Sequence, residues 1–381
     1  MKLKPKITIA DHFGLMEDPR VEWSIQHKLI DIITIAICAV ICGADTWVDI
    51  ETYGLAKEEW LKQFLELANG IPSHDTFARV FARLNPEQFQ QSFLSWIKSI
   101  SNVTQGEVIA IDGKTLRHSY DNAQEKSAIS MVSAWATTNR LVLGQVKVDE
   151  KSNEIKAIPE LLKVLSLRGC IVTIDAIGCQ KEIVKLIAGQ EADYVITLKK
   201  NQGSLYERVE SLFSEALRSK YQGFTHSSFR RSQESHGREE TRYCVMLSNI
   251  QNQIDPKGEW QNLQSIGRVD VMRTVKGKTK IETRYFISSL PNNAKLLADS
   301  VRQHWGIENS LDWGGVSAGE ASSAEPPLLD VAFREDDSLI RKDNAPQNFA
   351  VLRHIAHSLL QQNKSVKTPN KKQTIKSWMG Q

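Results

Sequence analysis

Residues 107–114 read Glu-Val-Ile-Ala-Ile-Asp-Gly-Lys, an apolar run that ends in an aspartate, a glycine and a cation. Short apolar runs followed by turn residues are typical of buried β-strands. An aspartate at the end of such a strand, here Asp112, is held rigidly at the edge of a sheet, where its carboxylate suits a hard metal ion. The chain supplies two partners for it, Asp175 and Glu308.

Asp175 ends a second apolar run, at 170–175, so the two predicted strands can lie side by side in one sheet. Glu308 lies in a predicted helix with His304 four residues before it and Asp312 four after, so these side chains share one stripe. Two strand-end aspartates and a helix glutamate form an all-oxygen set, which favours Mg²⁺ or Mn²⁺ over zinc. Two such ions would activate a water or a DNA 3′-hydroxyl and stabilise the departing oxygen.

Cations lie close to these acids in the sequence, as expected for a polyanionic substrate. Lys114 and Arg117 follow Asp112, and Lys199 and Lys200 follow another predicted strand end. Taken alone, a strand-end aspartate is more often a turn residue, and a lone helix glutamate is usually solvated. The combination of acids and cations is what predicts phosphoryl-transfer chemistry.

The composition is that of a soluble globular protein with two or three domains, at 381 residues, 41% hydrophobic and 24% charged. Five cysteines without CxxC spacing support neither a disulfide framework nor a zinc site. The apolar run at 32–44 is internal and shorter than the roughly 20 residues that span a bilayer. We therefore expect a cytoplasmic, nucleoid-associated protein with no membrane partner.

The charge is distributed unevenly along the chain. Residues 1–100 hold 10 Lys/Arg against 13 Asp/Glu, whereas residues 338–381 hold eight basic residues and a single acid. A basic C-terminus attracts polyanions, and a solvated tail explains the same composition equally well.

The first hundred residues read as helical, with predicted helices at 24–43, 56–68, 73–84 and 86–100. In the third of these, Phe77, Val80, Phe81 and Leu84 share one apolar face, and Arg79 and Arg83 project elsewhere, one turn apart. Such a helix could enter a DNA groove, as in helix-turn-helix modules. A surface arginine pair on a packing helix is an equally good interpretation.

From residue 107 the pattern changes to strands that alternate with helices. The predicted strands are 107–112, 128–137, 141–148, 170–175 and 194–198, and the predicted helices are 154–167, 180–189 and 204–217. This order indicates a mixed sheet flanked by helices. Residues 220–290 are polar and strand-like at 243–247, 265–274 and 283–289, which predicts an inserted β-rich subdomain. Helices return at 294–312 and 348–361.

Residues 314–327 consist of three Gly, three Ala, three Ser, two Pro, two Glu and one Val. Almost nothing in this segment can be buried, so the ordering entropy of about 1–2 kcal/mol per residue is not offset. We expect a flexible linker insert, whose deletion leaves folding intact and raises activity.

The motifs around the three acids, at 111–114, 173–176 and 304–309, resemble those of the DDE transposases of bacterial insertion sequences. The similarity is to the ISAs branch, which includes the H-repeat-associated proteins, and it spans about residues 10–360 with further matches at 71–77, 236–238 and 329–336. The resemblance implies an N-terminal helical DNA-binding region at 1–103 and a ribonuclease-H-like core at 104–219 and 291–361. It also implies a β-rich insertion at 220–290, before the third acid, and leaves a basic tail at 362–381.

The same resemblance makes Asp112, Asp175 and Glu308 a catalytic, metal-binding triad with Mg²⁺ or Mn²⁺. It implies double-stranded DNA as the partner, both element ends and target, bound by a homodimer that assembles on the DNA. His236 and Arg238, in a matching motif, become candidate DNA contacts.

The chain departs from the family pattern around the third acid and after it, where Val301 replaces a common tyrosine and Asp312 a usual histidine. Relatives often carry an arginine where this chain has His304, which is a candidate phosphate contact, and a packed helix histidine is an equally good interpretation. Relatives also pass almost directly from the position of Trp313 to that of Leu328, without the segment 314–327. Three functions therefore stay open: a transposase, a nuclease that cuts without joining, and a decayed transposase that only binds DNA.

Overall fold

Residues 9–100 form a group of helices. The computed structural model of the protein describes residues 9–100, 105–115, 129–148, 153–235, 238–275, 278–310, 333 and 335–362, and the side chains of 306–310 fall outside that description. The helices of this region are α1 (Ile9–Phe13), α2 (Leu29–Ile41), α3 (Trp47–Ala56), α4 (Glu58–Leu61), α5 (His74–Arg83) and α6 (Pro86–Ile100). The almost entirely apolar α2 is buried in their midst.

The predicted helix at 56–68 is wrong, because helix formation starts earlier in the chain. Thr46 and Asp49 form a capping box in which the Thr46 hydroxyl accepts from the Asp49 backbone N–H at 3.1 Å and the Asp49 carboxylate accepts from the Thr46 N–H at 2.9 Å. The helix that begins there ends at residue 56. After the short α4 the backbone takes positive φ angles at Leu67 (41°) and Gly70 (70°), which a helix cannot accommodate.

Nine strands of the described residues form one mixed sheet in the order β3-β2-β1-β4-β5-β9-β8-β7-β6. Its first half contains β1 (Val108–Thr115), β2 (Ser130–Ala136), β3 (Leu141–Val148), β4 (Ile171–Ile174) and β5 (Asp193–Leu198). β1, β4 and β5 are parallel to one another, and β1–β2 and β2–β3 are antiparallel. The helices α7 (Glu154–Val164), α8 (Lys181–Gly189) and α9 (Gly203–Arg218) alternate with the later strands, as predicted.

The insertion at 220–290 extends the core sheet and does not form a sheet of its own. It contains β6 (Thr225–Ser235), β7 (Arg238–Ser248), the short α10 (Gln251–Ile254), β8 (Ser265–Val275) and β9 (Lys278–Ser288). β9 pairs antiparallel with β5, from Val195 opposite Ser288 to Leu198 opposite Tyr285. The two long hairpins are thereby joined to β5, which is the sheet neighbour of β4.

Two further helices complete the described structure. α11 (Ala294–Ser310) packs across β1, β4 and β5 and also contacts the insertion strands. α12 (Ala345–Gln362) packs against α2, α5, α6 and β3, and Asn348 of α12 donates to the carbonyl oxygens of Phe81 (2.8 Å) and Leu84 (3.0 Å). The first and last helices therefore share one core. In the part of the chain that the structure describes, no helix is long and apolar enough to cross a membrane.

Candidate active site

Asp112 and Asp175 end up side by side because their strands are neighbours in register. β1 and β4 are parallel, and Ile111 lies opposite Ile174, so the next residue on each strand is an aspartate. The prediction that these two strands lie next to each other is confirmed. Each aspartate also has one carboxylate oxygen fixed by the next backbone N–H, from Gly113 at 2.9 Å and from Ala176 at 2.6 Å.

The Asp175 side of the site is open to solvent. The Asp175 side chain is 46% exposed, and the Lys199 ammonium lies 3.3 Å and 3.4 Å from its two carboxylate oxygens. Lys199 itself is 61% exposed, directly after β5. Because an exposed ion pair contributes little to stability, Lys199 is available for another anion.

The helix α11, which contains Glu308, packs across β1 and β4. His304 of α11 is buried, and its Nδ1 lies 3.0 Å from the hydroxyl of Thr173, two residues before Asp175. Burial lowers the pKa of His304 to about 4, against the opposing charge of Asp175, so the ring is neutral at pH 7. This placement favours the packed-histidine interpretation over a phosphate contact. Glu308 lies one turn further along α11, and its side chain is outside the described residues.

Lys114, predicted to contact DNA, lies in a buried ion pair. Its ammonium is 3.0 Å from a carboxylate oxygen of Glu335, with the two side chains 12% and 2% exposed. Burial alone would raise the pKa of Glu335, but Lys114, His354 and Arg353 together lower it below its usual value. Glu335 is therefore held as a buried anion between β1 and α12.

Glu154, the first residue of α7, is an acid that the sequence interpretation did not assign to the site. A side chain at Gly113 would clash with it, because a Cβ there would lie 2.2 Å from a Glu154 carboxylate oxygen. Burial and the negative charge of Asp175 raise the pKa of Glu154. The signal in the sequence was a helix-initial acid that follows the third predicted strand, combined with a glycine next to the first aspartate.

Comparison with known proteins gives the family. Residues 10–97 match a family model described as DDE_Tnp_1-associated, and residues 104–320 match the model described as Transposase DDE domain. The chain is 40% identical over 375 residues to YhhI of Escherichia coli K12, an H repeat-associated protein provisionally named a transposase, covering 97% of this chain and 95% of that protein. The chain belongs to the DDE transposase family.

Two further proteins are similar to this chain, one in sequence and one in solved structure. YncI of E. coli O157:H7, provisionally named a transposase, is 40% identical over 363 residues, covering 94% of this transposase and 89% of its own length. A solved synaptic complex of piggyBac transposase with hairpin DNA covers 95% of this chain and 78% of its own, at 12% identity and a TM-score of 0.35. A likeness at that score supports no statement about the fold.

The remaining predicted DNA contacts of this transposase fall in several places. Arg79 and Arg83 are exposed on α5, and Lys200 is exposed beside Lys199. Arg238 begins β7, and its side chain is not described. Arg117 and His236 lie outside the described residues, as do the insert at 314–327 and the tail from residue 363.

The chemistry of the donor set fits a divalent cation. Asp112 and Asp175 offer hard carboxylate oxygens whose orientation is fixed by backbone N–H groups, which is the ligand type that Mg²⁺ and Mn²⁺ prefer. The described residues alone contain no group of three His, Cys, Asp or Glu that could hold a metal ion.

Proposed function

We propose that this chain is a DNA transposase that binds the ends of its element and catalyses metal-dependent strand cleavage and strand transfer. The observation that carries the proposal is the in-register pairing of β1 with β4, because Asp112 within β1 and Asp175 directly after β4 both follow the last residue pair of that pairing. The helix that bears Glu308 packs across the same two strands. We therefore infer that the three acids, which come from separate parts of the chain, act together at this region of the sheet.

In the proposed mechanism Asp112, Asp175 and Glu308 hold Mg²⁺ or Mn²⁺. When bound, such ions would activate the attacking water or 3′-hydroxyl and neutralise charge at the phosphate. The backbone N–H groups of Gly113 and Ala176 fix the carboxylates before any ligand arrives, so little reorganisation is needed. Lys199, at the open rim, can release Asp175 and pair with a phosphate of the incoming DNA.

The same proposal assigns DNA binding to the N-terminal helical region and ribonuclease-H-like architecture to the sheet and its helices. Arg79 and Arg83 support the first part, because both are exposed on one helix whose apolar face is fully packed. A homodimer assembled on DNA follows from the chemistry, since joining two element ends to a target requires two sites.

The test is amide substitution of the acids. Asp112→Asn, Asp175→Asn and Glu308→Gln keep the side-chain shape but remove a charge that the metal needs, so we expect loss of cleavage with DNA binding retained. Cleavage and strand transfer on duplexes carrying the element ends, with Mg²⁺, give the activity, and gel shifts give the binding. Glu160→Gln, an exposed acid on α7, is the matched control.

The outcomes separate the alternatives. Cleavage without joining in the wild-type protein would make it a nuclease, and DNA binding without cleavage would make it a decayed transposase. Wild-type cleavage rates in either aspartate variant would remove that residue from the catalytic site.

A further inference from the structure

One stretch of four residues occurs twice in the β-rich insertion. Glu-Thr-Arg-Tyr stands at 240–243 in β7 and again at 282–285 in β9. Arg242 pairs with Val271 of β8, and Val271 pairs with Glu282 of β9, so these three side chains lie on one face of the sheet. Because alternate residues of a strand point to the same face, the glutamate and the arginine of both repeats share that face. Two different strands thus present the same pair of charged side chains in the same direction.

The arginines of the two repeats meet at one side chain of α11, Trp305. The guanidinium carbons of Arg242 and Arg284 lie over the indole ring, 4.5 Å and 4.8 Å from its centroid. The Arg242 Nε donates to Glu240 Oε1 at 2.7 Å. The Arg284 Nε donates to Glu282 Oε1 at 2.6 Å. The two arginine side chains are 14% and 25% exposed, so water only partly screens their attraction to the ring. We call these four charged side chains the arginine cradle of Trp305.

Trp305 is the last of three successive residues that attach α11 to three separate parts of the fold. The Oε1 atom of Gln303 lies 2.6 Å from the hydroxyl of Thr137, directly after β2. The Nδ1 atom of His304 lies 3.0 Å from the hydroxyl of Thr173 in β4. Successive residues of an α-helix are rotated by about 100°, so the three contacts point in different directions around the helix axis. Together they oppose both rotation and sliding of α11.

Resting on the proposed function, we propose that Trp305, Arg242 and Arg284 are positioning residues of the active site, through which the insertion sets the rotation and axial position of the helix that contains Glu308. Glu308 follows Trp305 by three residues in α11, so a rotation of the helix about its axis moves both residues by the same angle. The insertion then aligns the third acid in addition to extending the sheet.

A packing role for Trp305 would give different results from a positioning role. The indole also lies against the apolar cluster beneath α11, so its removal lowers stability in either case. If the ring only fills space, the loss of one guanidinium leaves the affinity of the site for a divalent cation unchanged. If the cradle positions the helix, that loss weakens cation binding, and a lysine at the same place restores it.

The experiment measures Mn²⁺ binding to the full chain without DNA, by calorimetry and by electron paramagnetic resonance. Trp305→Leu should weaken Mn²⁺ binding about tenfold, the lower end of the range for groups that orient metal ligands. Arg284→Gln should weaken it about threefold, as expected for the loss of one partly exposed cation–π contact, and Arg284→Lys should bind close to the wild type. Circular dichroism and thermal unfolding establish that each variant is folded.

The matched control is Phe213→Leu in α9. Tyr285 of the second repeat points to the sheet face opposite to that of Arg284, and its ring stacks on Phe213 with the centroids 5.7 Å apart. The substitution removes an aromatic contact of the same strand from the other face of the sheet. We therefore expect lower stability with Mn²⁺ affinity unchanged.

The inference is overturned if Trp305→Leu binds Mn²⁺ as tightly as the wild type, or if Phe213→Leu loses as much affinity as Trp305→Leu. Should Trp305→Leu fail to fold, the Arg284 pair decides. Weaker binding by Arg284→Gln that Arg284→Lys restores supports the inference, and wild-type binding by Arg284→Gln overturns it. Asp175→Asn tests the proposed function separately, since wild-type Mn²⁺ affinity there would remove the metal site and this inference with it.

Discussion

Two lysines flank the candidate site, and the structure treats them in opposite ways. Lys114 lies on the side closed by α12, 12% exposed and paired with Glu335. Lys199 lies on the open side, 61% exposed and paired with Asp175. The sequence offered both as contacts for DNA on equal grounds, since each follows a strand end near an acid.

The difference shows that a cation close to an acidic site does not by itself indicate substrate binding. Burial decides between the two roles, because a desolvated ammonium needs a fixed carboxylate and has no freedom to meet a phosphate. An exposed ammonium exchanges partners at little cost. Lys114 is therefore fixed inside the protein, whereas Lys199 can meet an approaching ligand.

The largest expected effect is on the free energy of unfolding, which should fall far more when Lys114 is replaced than when Lys199 is replaced. Lys114→Ala leaves Glu335 buried without its cation, so we expect a loss of about 3–5 kcal/mol in the free energy of unfolding. Lys199→Ala removes an exposed pair and should change that free energy by less than about 1 kcal/mol. Urea denaturation followed by circular dichroism measures both. Equal losses in the two variants would show that burial does not distinguish them.

The second prediction concerns the pH dependence of stability, which reports on His354 beside Glu335. Burial lowers the pKa of His354 to about 4 from its ordinary 6.5, against the charge of Glu335. Between these values the unfolded chain binds a proton that the folded chain does not, so stability falls as the pH is lowered from 6.5 to 4. One buried histidine contributes roughly 3 kcal/mol to this fall.

Urea denaturation of His354→Gln across that range measures the contribution. The variant should lose less stability than the wild type as the pH drops, whereas His226→Gln, at an exposed position, should follow the wild-type curve. If His354→Gln loses as much stability as the wild type, the lowered pKa of His354 is not the cause of that loss.

The smallest expected effect is on DNA affinity at the open side. Lys199→Ala should weaken binding of cognate and random duplexes alike and reduce the slope of log affinity against log salt by about one. Fluorescence anisotropy titrations at several salt concentrations measure that slope. Lys163→Ala, which removes an exposed lysine on α7, is the control. An unchanged slope in Lys199→Ala would assign Lys199 to Asp175 alone.

The two aspartates were predictable because the signals that define them are local. Each ends a short apolar run, and strands of that kind pair in parallel when helices connect them. The register that places Ile111 opposite Ile174 was not part of the prediction. Glu308 was proposed with them, but taken alone it was an ordinary helix acid, and the family resemblance was its main support.

The closed side was not predictable, because it depends on contacts between distant parts of the chain. Glu335 stands in a segment that matched the family pattern without an assigned role, and nothing near it in sequence points to Lys114. α12 was predicted as a helix, but the burial of polar residues such as Arg353 and His357 has no local signal. β6 was missed because its sequence, Thr-His-Ser-Ser-Phe-Arg-Arg-Ser-Gln-Glu-Ser, is that of a polar edge strand without apolar alternation.

The packing of α12 also sets an order of events during synthesis. Asn348 bonds to the carbonyl of Phe81 across 267 positions, and α12 also packs against α2 and α6. Chains emerge from the ribosome N-terminus first, at about 5–20 residues per second, so these helices are made well before the α12 that covers them. A ribosome-bound chain that has not yet made α12 therefore exposes the faces of α2, α5 and α6 that this helix covers in the finished fold.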